Sequence, residues 1–125
     1  MDDQNLIQKD LIKKIVGDAR GAVGIRLCAI GVDLGIFKDL AQNGAATSQV
    51  LAERTKLDER YLREWGLGMF SLGYLDFDKV SRKISLNKEF IPVLVEEGGK
   101  FSQKGLIEIL NSSLLPYHEL LNSFK

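Results

Sequence analysis

The chain has 125 residues, enough for one domain, with a hydrophobic fraction of 45% and a charged fraction of 27%, as in ordinary soluble globular proteins. Seventeen basic residues balance seventeen acidic ones, so the chain lacks the summed positive field that draws nucleic acid or anionic lipid. Cys28 is the single cysteine, which excludes an internal disulfide and agrees with a reducing, cytoplasmic setting.

The opening Met1–Asp10 is acidic and polar, unlike a signal peptide. The uncharged run Leu27–Val32 is far short of the ~20 residues that span a bilayer, and no membrane role is expected. Ile7, Leu11 and Ile15, widened by Leu6, Ile12 and Val16, predict an amphipathic helix over 4–16. Gly17, Gly21 and Gly24 follow, and each costs helix stability. A kink or break is expected near 17–21, then a second helix over 22–42.

In that second helix Leu27, Ile30, Leu34, Phe37 and Ala41 fall at helical spacing and are expected to face the core. Gly17, Gly21, Gly24, Cys28, Gly31 and Gly35 are spaced 4, 3, 4, 3, 4 and form a seam of small residues. Such a seam fits the close approach of another helix. That helix could belong to the same chain or to a second copy, and a homodimer is the expectation.

Thr47 or Ser48 caps a short helix, Gln49–Thr55, whose apolar side is Val50, Leu51 and Ala52. Asp58 caps the next, Glu59–Ser71, with Leu57 and Leu62 as a hydrophobic staple and Leu62, Trp65, Met69 and Leu72 as a buried stripe. Gly73 stops it. Tyr74–Phe77 and Lys83–Asn87, around the turn Asp78–Arg82, predict a β-hairpin. A short helix over 88–97, near Pro92, and further helices from Gln103, interrupted at Ser112-Ser113 and Pro116, complete the chain. The expected fold is mainly α: a winged helix-turn-helix flanked by N- and C-terminal helices.

The catalytic inventory is thin. His118 is the only histidine, and reads as a surface residue. With one cysteine it cannot build a cysteine-rich zinc site. Cys28 reads as a packing residue. Gly17, Gly21 and Gly24 follow a helix, not a strand, and so do not form a cofactor loop. Asp76/Asp78 and Glu96/Glu97 read as solvated surface, and Asn111-Ser112-Ser113 matches a glycosylation sequon by chance. No catalytic, cofactor-binding or metal residues are expected. A winged helix invites a DNA-binding reading, with Arg60 and Arg63 as contacts. Yet Asp58, Glu59 and Glu64 outweigh them by one charge across 58–72, and ion pairs such as Arg60–Glu64 explain them at lower cost.

Three strings carry a family resemblance: Ile30-Gly31-x-x-Leu34-Gly35-Ile36-Phe37-x-x-Leu40-Ala41, Thr47-Ser48-x-x-Leu51-Ala52-x-Arg54-Thr55, and Leu57-Asp58-Glu59-Arg60-Tyr61-Leu62-Arg63-Glu64-Trp65, followed by Gly73-Tyr74-Leu75. Together they resemble the N-terminal winged-helix domain of S-adenosylmethionine-dependent methyltransferases, an architecture shared with plant-type small-molecule O-methyltransferases. Val50 departs from the pattern, which usually carries an acidic residue there. The resemblance covers about residues 20–97. It implies a domain that builds the dimer and covers the substrate site, while a Rossmann-like domain binds the cofactor. That second domain is expected to be missing from this chain, as in a fragment or a stand-alone relative. Residues 1–97 are then the winged-helix domain with its helical arm, and 98–125 a segment leading toward the methyltransferase domain. S-adenosylmethionine belongs to the full-length family, and a small-molecule substrate only to the two domains together. The alternative is a winged-helix transcriptional regulator.

Overall fold

A computed structural model describes residues 2–114 and 116–125. The expected spans 1–97 and 98–125 therefore include Met1 and Leu115, which lie outside the described residues. The elements are α1 (Asp3–Asp33), α2 (Ile36–Asn43), α3 (Ser48–Thr55), α4 (Glu59–Leu72), β1 (Asp76–Phe77), β2 (Ile84–Ser85), α5 (Ile91–Leu94), α6 (Lys104–Ser113) and α7 (Tyr117–Ser123). A 3-10 turn, Lys88–Phe90, leads into α5. The fold is the mainly α winged helix-turn-helix.

The first helix corrects the expected break at 17–21. α1 runs 31 residues without interruption, about 46 Å at 1.5 Å per residue. Glycine weakens a helix but does not remove its hydrogen bonds, and the Lys14–Asp18 ion pair at 2.7 Å bridges the turn that holds Gly17. The break falls instead at Leu34-Gly35. Gly35 has φ +70°, a left-handed conformation that side chains resist. α2 restarts beyond it and ends at Gly44, whose φ is +80°.

This kink also corrects the expected core face. In an unbroken helix Leu27, Ile30, Leu34, Phe37 and Ala41 would share one side. The turn at Gly35 shifts the phase of the residues beyond it. Phe37 then points inward, at 1% exposure, while Ile30 and Leu34 face out at 36% and 53%. Leu27 and Ala41 are half-buried. The inner face of α1 is Gly24, Cys28, Ala29 and Gly31.

α3 and α4 begin as the capping residues predict. Thr47 Oγ1 accepts from the Val50 amide, and Asp58 Oδ1 from the Tyr61 amide. Leu51 is buried, while Val50 is exposed and Ala52 half-buried. The buried stripe of α4 is Leu62, Trp65, Gly66 and Met69. Gly73, at φ +90°, ends it. The wing is shorter than expected: Asp76 pairs with Ser85 and Phe77 with Ile84, antiparallel. Ile84 also pairs with Ala46, adding a third short stretch. Arg54 ties α3 to the end of α2, through Asp39 at 2.8 Å and the carbonyls of Asn43 and Gly44. α6 packs on α1 with Ile107 buried.

Candidate interaction surfaces of the winged helix

The six residues of the small-residue seam separate into three environments. Gly24, Cys28 and Gly31 pack on their own chain. A Cβ on Gly24 would lie 3.6 Å from the Tyr74 ring. One on Gly31 would meet Phe37 Cε2 at 2.5 Å and Trp65 Cζ2 at 2.8 Å. The rings of Phe37 and Trp65 stand 5.5 Å apart, and the Trp65 indole donates to the Leu27 carbonyl at 2.9 Å. Gly31 therefore makes room for two aromatic rings of the same molecule. Gly17 and Gly21 have nothing within 4 Å of such a Cβ, and Gly35 forms the turn.

Cys28 is a core residue. Burial pushes its thiol up to about 11, against a smaller opposing effect of its hydrogen bond with Tyr74. At neutral pH it stays protonated and a poor nucleophile. A thiol reagent is expected to label the native chain slowly at pH 7.5 and rapidly once urea unfolds it. Fast native labelling would contradict the buried placement. Because the folded thiol holds its proton beyond the usual 9.0, stability from this group is complete below pH 9 and falls as pH rises toward 11.

On the DNA-facing side of a winged helix, Arg63 lines a cavity of about 160 Å³ between α3, α4 and the wing, with Ser48, Ser81 and Arg82. Arg60 is exposed and is not among the residues lining that cavity. The expected Arg60–Glu64 pair is not the one formed: Glu59 pairs with Arg63 at 3.7 Å and accepts from Ser48 Oγ at 2.8 Å. Both pairings join adjacent helical turns, and the hydroxyl of Ser48 places the Glu59 carboxylate on the side of α4 that Arg63 shares. Arg82 stacks over Phe77 at 5.7 Å. The exposed Asp78 accepts from the Ser81 and Val80 amides, which hold its carboxyl below the usual range. Glu97 is exposed, as the sequence predicts, and pairs with Lys104 at 3.0 Å.

A family model described as the Rv2258c-like winged HTH domain matches residues 21–95. The chain belongs to that family. Among solved structures, this winged HTH domain is similar to PigF, solved with SAH: TM-score 0.70, 17% identity, covering 89% of this chain and 32% of PigF. It is similar to the mitomycin 7-O-methyltransferase MmcR: TM-score 0.67, 20% identity, 91% of this chain and 32% of MmcR. A third is an O-methyltransferase family 2 protein from Planctomyces limnophilus, in complex with apigenin: TM-score 0.62, 24% identity, 82% and 30%. At these identities the likeness is one of fold, and the winged HTH domain resembles the N-terminal region of O-methyltransferases. The chain spans about a third of the length of the solved proteins it matches. Comparison with curated proteins gives no match.

Elsewhere the described residues expose a large apolar surface. Among the described residues no three His, Cys, Asp or Glu side chains gather as a metal site, and no helix is long and apolar enough to cross a membrane. His118 is exposed and its ring lies 5.8 Å from that of Tyr117. Every described residue up to Val23 is exposed, and Ile7, Leu11, Ile12, Ile15 and Val16 lie more than half exposed on α1. Leu106, Ile109, Tyr117, Leu120 and Phe124 are similarly bare on α6 and around α7. The sequence signal for an outward stripe is present in Val16, Val23 and Ile30, each seven residues after the last. A core assignment for Ile30 masks it.

Proposed function

We propose that this chain is the dimerisation and substrate-lid domain of an S-adenosylmethionine-dependent methyltransferase of the small-molecule type, with no catalytic residues of its own. The observation that carries this reading is the projecting half of α1. Residues 3–23 are all exposed yet rich in isoleucine, leucine and valine. Helices in proteins draw most of their stability from packing an amphipathic face, and a bare apolar face of that size marks an interaction site. The likeness in fold to O-methyltransferases supports the same reading.

The residues here do not fit the cofactor. Gly17, Gly21 and Gly24 lie inside a continuous helix, so their amides are engaged and cannot cradle a ligand as a strand-to-helix loop does. No methyl-transfer step is therefore assigned to this chain; its role is to close over a site that another domain supplies.

Sedimentation velocity is expected to show a dimer, and a monomer at high concentration would refute the reading. Titration calorimetry with S-adenosylmethionine is expected to give no binding heat; tight binding to this chain alone would also refute it. Duplex DNA is expected not to bind at low salt, because Asp58 and Glu59 occupy the first turn of α4 and Glu59 holds Arg63. Steeply salt-dependent binding, lost in Arg60→Ala and Arg63→Ala, would establish the transcriptional regulator instead.

A further inference from the structure

An apolar stripe along α1 and its C-cap runs Ile12, Val16, Ala19, Val23, Leu27, Ile30, Leu34, spaced 4, 3, 4, 4, 3, 4, and all of these but the half-buried Leu27 are exposed. The spacing reads the same in both directions about Val23, and no position is charged. An antiparallel pair of identical helices across a two-fold axis has this property, because residue i meets j where j meets i.

The support along the helix is unequal in a complementary way. The half before Val23 is exposed throughout and touches the domain through Arg20, which donates to the Ser71 carbonyl at 3.0 Å, while the half after it is packed on α4 through Trp65. Beside the packed half, Ile30 and Leu34 border an apolar cavity of about 210 Å³ with Leu57, Tyr61 and Trp65 of the α4 region. Tyr61 is 78% exposed there. A second apolar groove follows Val16 and Val23 past Gly68 and Leu72. Reversing one copy about Val23 sets the exposed half of each helix over the packed half of the other.

Resting on the dimer reading above, we propose that the partner is a second copy whose α1 lies antiparallel on this stripe. Ile12 then meets Leu34 of the second copy, Val16 meets Ile30, Ala19 meets Leu27, and Val23 meets its own equivalent. The occupied surface is the stripe of large side chains; Gly24, Cys28 and Gly31 stay turned into their own domain.

The test is disulfide trapping in a C28A background. V23C is expected to form a cross-linked dimer on mild oxidation, reversed by reductant, since only close Cα pairs can be bridged. Copies bearing V16C mixed with copies bearing I30C are expected to cross-link to each other far more than either does to itself. Circular dichroism confirms that each variant is folded. If sedimentation shows a dimer but neither V23C nor the V16C and I30C mixture cross-links, the register is wrong and the dimer reading stands. Strong self-linking of V16C and of I30C separately overturns it in favour of a parallel pair. A monomer refutes both.

Discussion

Gly31→Leu is expected to abolish folding of the chain, and Gly31→Ala to cost about 1–3 kcal/mol in urea unfolding. The cause is local. A Cβ on Gly31 falls 2.5 Å from Phe37 and 2.8 Å from Trp65, closer than real contacts allow. Neither ring can swing aside easily: Phe37 is 1% exposed and Trp65 6%. Alanine at a helical position gains about 1 kcal/mol over glycine, which offsets part of the clash but not all of it. Leucine adds three more carbon atoms to the same filled space. Against a total stability of ~5–15 kcal/mol for a typical domain, that insertion removes most of the margin.

The control lies on the same helix. Gly17→Ala and Gly21→Ala meet nothing within 4 Å, so each is expected to stabilise α1 by roughly 0.5–1 kcal/mol. Opposite signs for identical substitutions in one helix would tie the effect to the neighbours of Gly31. A Gly31→Leu variant that unfolds at the wild-type urea concentration would refute the packing account. The contrast also bears on association. Because Gly31 is occupied by its own core, a bulky residue there disturbs folding first, and loss of a dimer in that variant carries no information about where the copies meet.

How far the sequence leads differs between short and long range. The caps Thr47 and Asp58, the stop at Gly73 and the stripe Leu62, Trp65 and Met69 are local chemistry, and they stand where the sequence places them. The wing is placed but overextended, because Tyr74, Leu75 and Leu86 are β-formers used for packing rather than pairing. The path of α1 escapes the sequence for a sharper reason. Six small residues at helical spacing look alike in sequence, but their roles depend on what stands opposite. Gly35 takes a positive φ, Gly31 faces two rings, and Gly17 faces nothing. Only the tertiary position of Phe37 and Trp65 separates these cases, and periodicity carries no record of it. The kink at Gly35 then propagates the error, since assigning one phase to residues 22–42 turns Ile30 and Leu34 inward. The candidate interaction surface is legible in part: the amphipathic opening helix is visible, while the outward stripe emerges only once the phase change at Gly35 is known.

Trp65→Ala is expected to cost about 3–5 kcal/mol, the usual range for emptying a large aromatic site. Trp65→Phe is expected to cost only ~1–2 kcal/mol, since the ring still packs on Phe37 and what is lost is chiefly the bond to the Leu27 carbonyl. That carbonyl lies inside α1 and retains its helical partner four residues on, so the phenylalanine variant leaves no orphaned acceptor. Because Trp65 is the only tryptophan, unfolding must be followed by circular dichroism rather than indole fluorescence. A phenylalanine variant as unstable as the alanine one would assign the effect to the hydrogen bond, against the packing account. The position has a second consequence. Trp65 joins α4 to the part of α1 just beyond Val23 and, with the Arg20 bond to the Ser71 carbonyl and the packing of α6, anchors the exposed half of that helix. Where the alanine variant remains folded at low temperature, its association should weaken further than the loss of one contact explains, because a helix hinged at its base presents its apolar stripe in many orientations. Sedimentation of Trp65→Phe, in which the base is kept, is expected to show the wild-type state.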